Sequence, residues 1–326
     1  MMMTTRSDRA VFVATLLALA VPVAACTSAD PGASPSPAAD GGGGGGPASI
    51  DAAASTDAPV NPGGYTLKYA PAGDGLRVGR GAFQLQIEDK GLPATGLGSS
   101  LSLRPVMTMP NMAHGAPVPI DAVRESATPG TYDCTLFFPM ASVDASGSPV
   151  GEWSVKVASG AGELGSITVP VRPALGVDTT HVMLKNAADK VQTMGSAMPR
   201  SYPLFRDGLA LEADGRWAFR VFVASIQEGN MVWPPVKPGL VLVDAAGKPQ
   251  FTIQTVALEA SSDGVTWSPM PCDSASRCEA KLTGLARGVV GKVHVKLTIN
   301  GLPYTSDGMP PDDGKNNGFA IFAVTP

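Results

Sequence analysis

After Gly64 the chain consists largely of segments of five to nine residues in which apolar and polar side chains alternate, each bounded by Gly, Pro, Asp or Asn. A period of two sends every second side chain to the same face of a strand, so the pattern describes antiparallel sheets with one buried and one wet face. Within residues 81–88, Phe83, Leu85 and Ile87 share one face and Gln84, Gln86 and Glu88 the other. Leu101, Leu103, Met107 and Met109 fall on one parity, as do Tyr132, Cys134, Leu136 and Phe138. Further strands are predicted at 152–157 and 167–171. In the second half, Trp217, Phe219, Val221 and Val223 alternate with Ala218, Arg220 and Phe222 after an Asp214-Gly215 turn. Phe251 with Ile253, Val293 to Ile299, and residues 319–324 add strands, and Ser262-Asp263-Gly264 reads as a hairpin turn. No stretch sustains helical periodicity over three turns, although residues 186–198 allow a short helix.

The chain ahead of this region is different in kind. Arg6 and Arg9 precede an apolar run from Ala10 to Ala25 that is too short for a membrane span of ~20 residues and reads as a signal h-region. The run ends Val23-Ala24-Ala25-Cys26, which resembles the lipobox of bacterial lipoproteins. The resemblance implies that residues 1–25 are removed and that Cys26 is acylated. Several acyl chains anchor a protein stably where one does not, so a lipidated Cys26 implies a membrane partner. Residues 26–63 are rich in Pro, Ala, Ser, Asp and Gly, with six consecutive glycines from Gly41 to Gly46. As a random coil such a tether spans ~30–35 Å.

About 260 residues remain, enough for two domains of ordinary size. Of the 24 basic and 28 acidic residues of the chain, Arg6, Arg9 and Asp8 fall in the leader, which leaves 22 and 27 and a formal charge of −5. With no block of Lys or Arg, this composition argues against nucleic acid and against a polybasic membrane patch.

The sharpest chemical feature is Met107-Thr-Met109-Pro-Asn-Met112-Ala-His114. On a strand Met107 and Met109 point the same way, and Pro110-Asn111 then breaks the strand so that Met112 and His114 can fold back toward them. Thioethers are soft, neutral ligands that favour Cu(I), and an imidazole extends the tolerance to Cu(II). The other reading is packing: methionine fills irregular core gaps, and Met107 and Met109 continue the apolar face of Leu101 and Leu103. Met112 and His114, beyond the strand, are harder to explain as core.

The order of features resembles the YtkA-like/FixH domain. An early strand at 81–88 is followed by the Met-x-Met-x-x-Met-x-His segment, by Gly130-Thr-Tyr132 leading into Phe138-Pro-Met140, and by Gly151-Glu-Trp153. The resemblance spans residues 64–172 and implies an immunoglobulin-like sandwich in a family associated with copper handling and haem-copper oxidase assembly. It carries over to Met107, Met109, Met112, His114 and Met140 as the conspicuous positions, and to Trp153 as a core tryptophan. An insert at 141–150 departs from the family pattern. The expected architecture is therefore all-β, with a signal peptide (1–25), a lipidated flexible linker (26–63), and two immunoglobulin-like β-sandwich domains at 64–172 and 173–326.

His181 and Met183 share one face of a possible strand, and Met194 and Met198 are one helical turn apart; ordinary packing is the simpler account of both. His294 alternates out of the apolar face of residues 293–299 and should meet solvent. Cys272 and Cys278 flank a short polar loop in an exported chain, for which a disulfide is the default. A metal-binding cysteine pair is the alternative, with no histidine near in sequence. Cys134, on the parity of Tyr132 and Leu136, reads as a buried, inert thiol. There is no Gly-x-Ser-x-Gly elbow, no His-Glu-x-x-His and no phosphate loop, and the oxygens of Asp312, Asp313, Asn316 and Asn317 miss the alternate positions of a calcium loop. The expected protein is non-enzymatic: an envelope lipoprotein facing the periplasm or exterior, binding copper through the Met/His cluster and passing it to a copper-accepting partner. The alternative is a structural or adhesive envelope lipoprotein whose methionines are core.

Overall fold

The computed structural model describes residues 64–160, 162–192, 196–227, 231–244 and 246–326. The leader, Cys26, the linker and Met194 lie outside the described residues. Among the described residues there are strands and turns and no helix, so the all-β class read from the alternation holds.

Four larger sheets carry the fold. In the first, the strand order is Tyr65–Pro71, Gly79–Asp89, Thr131–Phe138 and Val123–Glu125, with Leu92–Pro93 also on the second strand. The second runs Gly162–Val169, Glu152–Ser159, Ser102–Thr108 and Ala113–Gly115. Their inward residues, including Phe83, Leu85, Ile87, Tyr132, Leu136, Trp153 and Val155, form one apolar core. The third sheet runs His181–Gln192, Ala197–Leu211, Trp217–Val223 and Arg277–Leu282. The fourth runs Ser268–Pro269, Val256–Ser261, Gly291–Ile299 and Leu302–Tyr304, with Ala320–Val324 also on the Gly291–Ile299 strand. Phe219, Val221, Val223, Val293, Val295, Leu297 and Phe322 join these last two sheets in a second core. Each core is made by the parity that the alternation assigns, because a one-residue shift would turn the whole apolar set outward.

The tight turns follow a shared chemistry. Asp144, Asp244 and Asp273 each accept backbone N–H bonds, at 2.8 to 2.9 Å, from the residues two and four further on. In each, the N–H of the fourth residue bonds back to the Asp carbonyl. That fourth residue has positive φ: Gly147, Gly247 and Ser276. Asp at the first position and a left-handed fourth residue are what a short hairpin connection requires.

One local expectation is overturned. The described residues within 186–198 form no helix; His181–Gln192 and Ala197–Leu211 pair as antiparallel strands with a bulge between Lys185 and Lys190. Helix propensity loses here to tertiary partners. Asp189, 2% exposed, accepts the phenolic O–H of Tyr202 at 2.5 Å and of Tyr304 at 2.9 Å and faces Arg200 Nε at 3.4 Å, while Asn186 Nδ2 donates to the Pro303 carbonyl. A helix over this stretch would pull Asp189 away from all three partners.

A third apolar cluster, Phe137, Phe205, Phe222, Ala224 and Trp233, joins residues of the first half to those of the second. Around it Asp207, whose side chain is 8% exposed, pairs with Arg80 and Arg277 at 3.0 Å, and Arg277 also pairs with Asp121. Pro117 bridges Trp233, and a Cβ on Gly115 would fall 1.9 Å from the Met231 carbonyl oxygen, so only glycine permits that approach.

Candidate functional site

The Met/His segment folds into a hairpin. Ser102–Thr108 pairs with Ala113–Gly115 so that Met107 stands opposite His114, and two residues further the Met109 N–H donates to the Met112 carbonyl at 2.9 Å. Directly opposed residues of an antiparallel pair project to the same side. Met107, Met109, Met112 and His114 therefore share one face of one hairpin, with Pro110-Asn111 as its turn. The Ala113–Gly115 strand is the edge of its sheet, and exposure rises along the shared face: Met107 is fully buried, Met109 is half-buried and Met112 is 57% exposed.

The neighbouring strand completes the setting. Trp153 pairs with Met107, and its indole N–H donates to the Met140 carbonyl at 3.0 Å, which brings the Met140 backbone beside the same hairpin. A Cβ on Gly151 would lie 2.7 Å from Met109 Cγ and 2.8 Å from Met107 Cε, so both methionine side chains close over that glycine. Met109 and Met140 also pack against the first core, and Met107 belongs to it. The donor set on the face, three thioethers and one imidazole, fits a soft ion such as Cu(I) and would hold a hard cation poorly. Among the described residues no three His, Cys, Asp or Glu side chains are grouped to hold a metal ion.

A residue that sequence reasoning missed is Met231. It stands far away in the chain, yet its backbone lies against Gly115, next to His114, and it is 36% exposed. No local pattern announces it, because its position depends on how the second half packs.

The remaining candidates resolve as follows. Cys272 and Cys278 form a disulfide, and they are also cross-strand partners. Cys134 is buried; its thiol faces the Tyr132 carbonyl and burial pushes it up to about 12, so it stays protonated and unreactive near neutrality. His181 stacks on Phe205 at 5.1 Å and Met183 packs on the same phenylalanine cluster, which accounts for both as packing. Met198 is exposed on a strand opposite Val191. His294 does not stand free in solvent: its ring is half-buried, edge-on to Phe319 at 5.0 Å, and burial lowers its proton affinity. Phe319, at the far side of a loop, supplies the cover that the strand's own sequence could not reveal.

No family model and no curated protein matches this sequence. Among solved structures, the chain is similar to domains 5–6 of the S-layer protein SbsC, with 12% identity over 80% of this chain and 98% of that one and a TM-score of 0.21. It is similar also to domains 4–9 of surface layer protein SbsC, with 12% identity over 80% of this chain and 31% of that one, again at a TM-score of 0.21. A likeness this distant carries no argument about function.

Proposed function

We propose that this chain is a membrane-anchored, extracytoplasmic lipoprotein that binds copper through Met107, Met109, Met112 and His114, with Met140 beside them, for buffering or delivery to a copper-accepting protein. The observation that carries the reading is the register of the hairpin, which sets Met107 opposite His114 and Met109 opposite Met112 on one face. Two immunoglobulin-like sandwiches, the first of the YtkA-like type, are the finer architecture that goes with it. Export is supported by the leader pattern that ends at Cys26 and by the Cys272–Cys278 disulfide, a bond that persists in oxidising compartments.

A second reading is favoured by the complete burial of Met107 and the packing of Met109 and Met140 against the core. In it the methionines are structural, and the protein is a structural or adhesive component of the envelope.

One experiment separates the two. Changing Met107, Met109 and Met112 together to leucine roughly conserves volume and apolarity, so stability should fall by under about 1.5 kcal/mol per site while Cu(I) binding fails. Competition with a Cu(I) chelator, alongside thermal melts of the same variant, reads both quantities. Unchanged copper affinity in the triple leucine variant returns these residues to the core. Anchoring is tested separately by Cys26→Ala, which should move the protein out of the membrane fraction. A variant that still partitions with membranes removes Cys26 from the account.

A further inference from the structure

The Gly291–Ile299 strand buries Val293, Val295, Leu297 and Ile299, and so turns Lys292, His294, Lys296 and Thr298 to its outer side. Two loops rise over that outer side. Residues 263–267 bring Trp267, and residues 311–319 bring Asp312, Asp313, Asn316 and Phe319. Between them lies a cleft of about 370 Å³, continued by a neighbouring hollow of about 500 Å³ that shares Gly264, Asp313, Asn316 and Phe319 with it. The two together make a groove along the strand, and the seven residues from Lys292 to Thr298 extend ~20 Å.

The groove has two flat apolar surfaces in a polar frame. The Trp267 and Phe319 rings lie 5.8 Å apart, with planes inclined by 47°. Lys296 Nζ is 3.8 Å from the Trp267 ring centroid, a cation–π contact that covers one face of that ring and leaves the opposite face to a ligand. Three carboxylates (Asp263, Asp312 and Asp313) face two ammonium groups (Lys292 and Lys296), so the frame offers hydrogen-bond donors and acceptors without a strong field of either sign. The rim is held in shape. Asn317, 3% exposed, donates through Nδ2 to both Asp307 carboxylate oxygens at 2.9 and 3.1 Å and accepts the Asp312 N–H at 2.8 Å. A loop so stapled binds without first having to be ordered.

Flat aromatic faces beside closely spaced carboxylates, amides and ammonium groups match one ligand chemistry well. A pyranose ring with equatorial substituents turns a C–H face to an aromatic ring and its hydroxyls outward to acceptors and donors. An elongated groove of balanced charge suits a chain of such rings better than a polyanion or a hydrocarbon. We propose that this groove is a binding site for a neutral, β-linked glycan, with Trp267 and Phe319 stacking on sugar rings and Asp312, Asp313 and Asn316 holding hydroxyls. The site is independent of the methionine hairpin, and would tie a lipid-anchored protein to polysaccharide.

The test uses the mature chain and two defined probes, cellotetraose and chitotetraose. Of the four tryptophans, Trp153, Trp217 and Trp233 are at most 8% exposed while Trp267 is partly exposed, so a change in tryptophan emission on titration reports on the groove. Saturable binding of at least one probe is expected, with a blue shift and protection from acrylamide quenching. Trp267→Ala and Phe319→Leu should each weaken binding, read by calorimetry, by about tenfold or more. Asp313→Ala, on the exposed rim where folding is indifferent to it, should weaken binding severalfold with an unchanged melt. Absence of saturable binding of both probes at millimolar concentration overturns the proposal. So does binding that none of the three variants alters.

Discussion

Phe137 and Phe222 stack face to face, with ring centroids 4.7 Å apart and planes 1° from parallel. Each lies on the parity of its strand opposite to that strand's own core: Phe137 beside the core-facing Leu136 and Phe138, Phe222 beside Val221 and Val223. Both are nonetheless fully buried, because each sheet covers the outer side of the other with Phe205, Trp233 and Ala224 filling the gaps. The contact is reinforced at its edge by Arg80, Asp207, Arg277 and Asp121.

Phe137→Ala should therefore behave as a core truncation although the residue stands on the nominally polar face of its strand. The expected cost is about 3–5 kcal/mol, since the neighbouring rings cannot collapse into the space without breaking their own packing. Urea denaturation of the variant and wild type measures it. A loss below about 1 kcal/mol would mean that the two halves hold their folds without this contact.

The alkaline limb of stability should carry the signature of buried acids. Burial, and then the charge of Asp133, push the Cys134 thiol from 9.0 to about 12. Burial, followed by the Asp189 charge, raises the Tyr202 and Tyr304 phenols above their ordinary 10.0. In each case the folded state keeps a proton that the unfolded chain releases first. The stabilisation is complete below the unfolded value and is lost as pH rises toward the folded one, with a limiting slope of about 1.4 kcal/mol per pH unit per group. Between pH 9 and 10 the thiol acts before the phenols. Equilibrium unfolding should show wild type losing stability across that interval and Cys134→Ala losing less. Parallel curves for the two proteins would show that the thiol does not contribute.

Reduction of Cys272–Cys278 should lower stability by about 2–3 kcal/mol in the loop-entropy model. The effect should reach beyond the loop, because Arg277, one residue before Cys278, carries the ion pairs to Asp121 and Asp207. Alkylation without reductant should label neither loop cysteine, and should label Cys134 only after unfolding. Unfolding curves with and without reductant give the magnitude, and coincident curves would contradict it.

Local features were legible in the sequence because their causes are local. Alternation in Phe83, Leu85 and Ile87, or in Val293 to Ile299, sets a face, since a strand repeats every two residues whatever lies above it. The spacing of Cys272 and Cys278 across a short polar loop is enough to expect their bridge, and the parity of Cys134 is enough to expect its burial. Even the candidate metal site was half-written in order: Pro110-Asn111 turns the chain, and the two-residue connection places Met107 opposite His114.

What only the tertiary structure decided are the features whose partners are remote. Residues 186–192 are extended because Asp189 has Tyr202 and Tyr304 to bind, and Tyr304 comes from another sheet. His294 is covered by Phe319, and Trp267 meets Phe319 across a groove built from two separate loops. Phe137 is buried by Phe222, although alternation alone assigns it to the polar side. Periodicity records which side of a strand a residue takes, whereas burial depends on what covers that side. That covering is made of contacts between segments whose spacing along the chain carries no trace of their meeting.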